Sequence, residues 1–237
     1  MRTKFGAAVV LTVASTGCPL TFTSSNPPPP DTGSTITENP PAPAARVASY
    51  DVVVGSQTVR VVPHYEADVA YCVPTGVEVF PLVGECTTQS DAISTPCGVT
   101  SDVSQVSIDG VAATPDPQTQ DAAIVVNTSA SSVLRLDGAF GTADIPLHAS
   151  GLPTPTITTT PTASGVDIAW TTDVPAASSL VEITSGLVVD HCQVAQQTYT
   201  VDGQPISIRV QPFLQVETHQ TPYGQVRVWR GNGKATQ

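Results

Sequence analysis

Three side chains of metal-binding type stand at alternate positions in one short run: His64, Glu66 and Asp68. Alternate residues of an extended strand share a face, so an imidazole and two carboxylates would project together. Zinc chemistry would need a further ligand from elsewhere, and no second group of matching spacing is present. A solvated outer strand face accounts for the same pattern, and no bound metal is expected. Asp190, His191 and Cys192 alternate faces, which turns His191 away from its neighbours and makes it structural. Glu217 and His219 share a face near a strand end, where exposed polar groups are ordinary. Trp229 shares its parity with Gln225 and Arg227, opposite Val226, Val228 and Arg230. That parity makes Trp229 and Arg227 an exposed pair and the candidate binding residues, with the indole able to stack on a ligand ring. Trp170 reads as core.

Other chemistry has no local signature. The sequence lacks a Gly-x-Ser-x-Gly elbow, a Ser-x-x-Lys pair, a phosphate-binding loop and a Gly-x-Gly-x-x-Gly turn. Its Asp-rich turns form no calcium-loop pattern. No catalytic residue and no cofactor is therefore expected, and the chain is read as a non-enzymatic binding, adhesion or envelope-assembly module. A secreted hydrolase or metal-dependent enzyme with scattered residues is one alternative. A carbohydrate-binding module is the other.

Composition narrows the partners. Nine Lys and Arg stand against 20 Asp and Glu, for a formal charge of −11, and charged residues make up only 12% of the chain. Nucleic acid is excluded as a partner, because the cations that would displace counterions from phosphate are missing. The hydrophobic content of 40% is enough for a core.

The elements that must position these side chains begin after a long leader. Arg2 and Lys4 precede an uninterrupted small and apolar run, Phe5 to Ala14, which suits an export signal and is too short to span a bilayer. Ser15-Thr16-Gly17 then leads to Cys18. Small residues directly before a Cys that closes the apolar run resemble the bacterial lipoprotein signal, with Ser15 standing where Leu is usual. The resemblance implies cleavage after residue 17, lipidation of Cys18 and anchoring at the cell envelope, in the outer membrane or at the cell surface. Plain secretion is the alternative. Loss of Arg2 and Lys4 would move the formal charge from −11 to −13, so membrane attachment would rest on acyl chains rather than on a basic patch. Residues 18–45, with the run Pro27 to Pro30 and the cluster Pro40, Pro41 and Pro43, read as an extended, disordered stalk.

From Arg46 the pattern is all-β. Val52 to Val54, Gly55-Ser56-Gln57 and Thr58 to Val62 read as a hairpin, and His64 to Val73 alternates as a strand. Short apolar runs follow throughout, among them Val103 to Ile108, Val133 to Leu136, Val166 to Trp170, Ile206 to Val210, Phe213 to Glu217 and Val226 to Trp229. Asp109-Gly110, Asp137-Gly138 and Asp202-Gly203 are turn dipeptides. The length suits two docked β-sandwiches, residues 46–150 and 151–237, with Gly151-Leu152-Pro153 as the seam. Gly165-Val166-Asp167-Ile168-Ala169-Trp170, followed by Pro175, resembles the second strand of a fibronectin type III or related immunoglobulin-like module. Thr198 to Val201 and Ile206 to Val210 fall where its later strands would, although Ile206 or Ile208 occupies the place of that family's usual Tyr. The resemblance covers about 153–232 and implies a fold, not an activity.

Setting Cys18 aside leaves Cys72, Cys86, Cys97 and Cys192, an even number that suits disulfides in an oxidising compartment. Three connectivities are open, and every full pairing includes one bridge across the seam. The local choice is Cys86–Cys97, worth about 3 kcal/mol in the chain-entropy model, which leaves Cys72–Cys192.

Overall fold

The structure, a computed structural model, describes residues 44–65, 80–90, 98–117 and 119–236. The export signal, Cys18, nearly all of the proline-rich segment, Glu66, Asp68, Cys72 and Cys97 lie outside these residues. The described chain is all-β. Its strands are β1 (Ala44–Val54), β2 (Thr58–Tyr65), β3 (Cys86–Ser90), β4 (Gly98–Thr100), β5 (Val103–Ile108) and β6 (Val111–Ala113). They continue with β7 (Ala122–Val125), β8 (Val133–Gly138), β9 (Gly141–Pro146), β10 (Pro155–Pro161), β11 (Gly165–Thr172) and β12 (Ser178–Ser185). The last are β13 (Val188–Val194), β14 (Thr198–Asp202), β15 (Ser207–Phe213), β16 (Glu217–Thr221), β17 (Gly224–Arg230) and β18 (Lys234–Thr236).

Four sheets stack face to face. The first outer sheet has the order β6-β5-β8-β9, and the first inner sheet β16-β17-β1-β2-β7, with β4 added to β1. The second inner sheet runs β18-β15-β12-β13-β3, and the second outer sheet β10-β11-β14. Strand alternation supplies the cores between them. Tyr50, Val52, Val54, Val226 and Val228 of the first inner sheet meet Val106, Ile108, Leu134 and Leu136 of the first outer sheet. Val181, Ile183 and Val210 of the second inner sheet meet Val166, Ile168 and Trp170 of the second outer sheet. A third core lies between the inner sheets, where Val53, Val62 and Trp229 pack on Leu180, Phe213 and Phe80. β1 is thus covered on both faces, which is why Val52, Val53 and Val54 are all apolar.

The hairpin read at Val52 to Val62 is present as β1 and β2, closed by Gly55 N–H donating to Thr58 O at 2.9 Å. Asp109 and Gly110, both at positive φ (50° and 86°), make the tight turn between β5 and β6. Asp137-Gly138 instead ends β8, and the turn falls on Ala139-Phe140.

The expected seam at residue 151 does not divide the sheets. β16 and β17 complete the first inner sheet, where β17 pairs with β1 in parallel, and β3 borders the second inner sheet. The chain passes between the two sandwiches after β2, β3, β9, β15 and β17. The last passage is tight. Gly231 donates to Val54 O at 2.9 Å, and a Cβ on Gly231 would fall 1.7 Å from Pro212 O.

Candidate functional site

The described residue most burdened with polar contacts is one the sequence reading passed over. Asp51 lies in the centre of β1, between β2 and β17, and its side chain is 0% exposed. Arg227, its register partner on β17, grips it at both oxygens, Nε to Oδ1 and Nη2 to Oδ2, each at 2.7 Å. Trp229 Nε1–H donates to Oδ1 at 2.8 Å, and His64 Nε2 lies 2.5 Å from Oδ2. Burial works against the charged carboxylate, but the bonds from His64, Arg227 and Trp229 outweigh it and hold the group below the usual carboxylate range. One signal for this lay in the sequence: an Asp inside the run Tyr50-Asp51-Val52-Val53-Val54 must be paired if the run is buried.

The cluster resembles an acid–base dyad, but His64 directs Nε2 at Asp51. Among the described residues no hydroxyl or thiol hydrogen-bonds to the imidazole. His64 therefore turns Nε2 to Asp51. No group of three His, Cys, Asp or Glu side chains among the described residues is placed to hold a metal ion. Glu66 and Asp68, the other members of the candidate metal face, lie outside them.

Trp229 is not exposed. It is 6% accessible, stacked on Phe80 (centroids 5.7 Å, interplanar angle 20°) and edge-on to Phe213 at 5.4 Å. The parity assignment was sound, with Arg227 and Trp229 on one face of β17, but that face is roofed by the second inner sheet. The Arg227 guanidinium carbon lies 5.7 Å from the Trp229 ring centroid, and the Arg227 side chain keeps 28% of its surface exposed while the indole is buried. Trp170 is core, and its Nε1–H donates to Ser179 Oγ at 3.1 Å.

His191 is buried on β13, with Nδ1 3.9 Å from Glu182 Oε1. Glu217 and His219 share a face of β16 at 3.9 Å, and Glu217 also receives His148 Nδ1 at 3.1 Å and Arg230 Nη2 at 2.7 Å. These contacts tie the β9–β10 connection to β16 and β17.

The disulfide differs from the local choice. Cys86 is joined to Cys192, with Cα atoms 4.1 Å apart. The two residues are register partners of the antiparallel strands β3 and β13, and the close spacing is that of a non-hydrogen-bonded pair. Sequence proximity favoured Cys97, whereas strand pairing sets Cys86 opposite Cys192. The bridge does cross the expected seam. Tyr199 of the second outer sheet covers it, its hydroxyl 3.1 Å from Cys192 Sγ and 3.4 Å from Cys86 Sγ.

Where the inner sheets diverge beyond Phe80, a cleft of about 410 Å3 opens beside the β1–β2 turn. Arg60 of β2 faces it from one sheet, and Glu182 of β12 with Arg209 and Gln211 of β15 from the other. Arg209 Nη1–H donates to Glu182 Oε2 at 2.7 Å. Asn232 closes one end, accepting from Ser56 N–H at 2.9 Å and donating to Thr154 Oγ1 at 3.0 Å. No family model matches the chain, and no curated protein is significantly similar to it.

Proposed function

We propose that this protein is an exported, lipid-anchored, non-enzymatic binding module of the cell envelope, with the inter-sheet cleft as its binding surface. The observation that carries the reading is the contrast between its two polar assemblies. The Asp51 carboxylate is fully buried and spends its hydrogen bonds on the fold, with only the outer parts of His64 (25% exposed) and Arg227 (28%) reaching the surface. The cleft is open, lies between two sheets joined by an apolar core, and has a size within the usual range for ligand sites. A disulfide between β3 and β13 is compatible with an oxidising compartment. The apolar run before Cys18 supports export and lipidation. The antiparallel order β18-β15-β12-β13 facing β10-β11-β14 supports the fibronectin type III-like reading of the second half, since it follows the two-sheet plan of immunoglobulin-like sandwiches.

Mass spectrometry of the protein from membranes of its native host tests the anchor. The expected N-terminus is a thioether-lipidated Cys18, and an unmodified N-terminus in the soluble fraction would end the lipoprotein reading.

A further inference from the structure

We propose that the Cys86–Cys192 disulfide is a thiol–disulfide exchange site, at which an external dithiol reduces the bond and releases strand β3 from its sheet. Such a latch goes beyond the binding reading, and no ligand of the cleft enters its chemistry.

The two sulfurs differ in access. Cys86 is exposed on the edge strand, whereas Cys192 is 2% accessible on β13. An attacking thiolate therefore meets Cys86, and Cys192 is the leaving sulfur. Tyr199 is placed for that departure. Its ring packs on the core between the second inner and second outer sheets, which fixes the hydroxyl 3.1 Å from Cys192 Sγ and 3.4 Å from Cys86 Sγ. A disulfide sulfur has no hydrogen to give, so the phenol O–H is the donor. A hydrogen bond to a thiolate favours the charged form, and a stabilised thiolate leaves faster.

The exchange balances in two steps. A thiolate of the dithiol bonds to Cys86 Sγ as the Cys86–Cys192 bond breaks, and Cys192 departs as a thiolate. The second sulfur of the dithiol, also as thiolate, then closes on the first and displaces Cys86. The dithiol ends as a disulfide, oxidised by two electrons, and its two protons pass through solvent to Cys86 and Cys192.

The packing around β3 suits release. The strand lies at the end of its sheet, next to β13 alone. The core on the Cys192 side draws its buried residues from β11 to β15 and so does not depend on β3. On the opposite face, the register partners Thr87 and His191 bury Oγ1 and Nε2 with no hydrogen-bond partner among the described residues, and Gln193 Oε1 on the same face of β13 is a third such atom. Unpaired polar groups oppose closure, and opening gives them to water. Phe80, on the segment that leads into β3, stacks on Trp229 and lines the cleft. Release of the segment therefore loosens one wall of the cleft.

Treatment of the oxidised full chain with dithiothreitol in native buffer tests the latch. Differential alkylation with peptide mapping follows Cys86 and Cys192 apart from the other cysteines, and hydrogen–deuterium exchange follows the backbone. Both thiols are expected to become alkylable together, with exchange over residues 84–90 rising about tenfold while β11, β12 and β15 keep their protection. Tyr199→Phe, which keeps the ring and removes the hydroxyl, should slow reduction several-fold without moving the thermal midpoint of the oxidised protein. A merely structural tyrosine would leave that rate alone. Pre-reduced thioredoxin at equal dithiol concentration, run in parallel, separates a protein-borne dithiol from a small one by the faster reaction. A bond that yields only in urea, a reduced chain that loses protection in every strand, or a β3 still protected after reduction would each overturn the latch. An unchanged rate in Tyr199→Phe would overturn the role given to the phenol.

Discussion

Asp51 and Arg227 face each other across a parallel strand pair and are joined by two bonds of 2.7 Å, although 176 residues separate them in the chain. The pair spans the seam expected from the sequence, and Trp229 and His64 complete the contacts to the carboxylate.

Breaking this pair from one side should be costly. Asp51→Asn leaves the Arg227 guanidinium without its counter-charge in a largely buried site, a change typically worth about 3–5 kcal/mol. A lowered midpoint in urea unfolding, with an unchanged slope, is the expected result.

The same carboxylate gives a pH signature. Its folded pKa is lowered, so between the folded and unfolded values the unfolded chain holds the proton and the folded chain does not. The stabilisation is fully present above the ordinary Asp value of about 3.9 and is lost as the pH falls through the lower folded value. Urea unfolding between pH 6 and pH 2 should show this acid loss in the wild type. The Asp51→Asn curve should be flatter over the same acidic range.

The disulfide closes a sequence separation of 106 residues, which the chain-entropy model values at about 4.7 kcal/mol. Cys192→Ser should lower stability by several kcal/mol. Non-reducing peptide mapping should recover Cys86 linked to Cys192, and with that bond fixed, full pairing leaves Cys72 only Cys97. Recovery of Cys86 with Cys97 would refute the strand pairing of β3 with β13.

Gly231 and Gly84 make a matched pair of substitutions. Alanine at Gly231 puts a Cβ 1.7 Å from Pro212 O, whereas alanine at Gly84 meets nothing within 4 Å and bears only the strain of φ +92°. Differential scanning calorimetry should show the larger loss in Gly231→Ala, at the level of overpacking, about 1–3 kcal/mol.

Both tryptophans of the chain are buried, Trp170 at 3% and Trp229 at 6%. Native fluorescence should be blue-shifted and resist iodide quenching. Strong quenching would restore the exposed pair that the strand parity alone suggested.

Local pattern made much of this fold legible. β5 begins and ends where the apolar run Val103 to Ile108 does, and the hairpin at Gly55 was readable from its turn. Pairing between distant strands was not readable. Phe213 to Glu217 reads as a strand because it is apolar, yet Phe213 ends β15, Glu217 begins β16, and the residues between carry the chain from one inner sheet to the other. Trp229 failed for the same reason. Period two assigns a face, and only the tertiary stack decides whether that face meets water. Asp51 escaped notice because its cation, Arg227, stands 176 residues away in the chain. Its cation comes from β17.

The repeated passages between the sandwiches bear on how the chain is made. The central strand β1 gains its parallel neighbour only when Gly224 to Arg230 has been synthesised, and β15 gains its edge partner only with Lys234 to Thr236. Each inner sheet draws strands from both halves of the chain. Such long-range closure slows folding, so the polypeptide must persist incompletely folded until its last strands arrive. Closure of the two inner sheets is thus a late event of this fold, after the local hairpins of the sheet β6-β5-β8-β9.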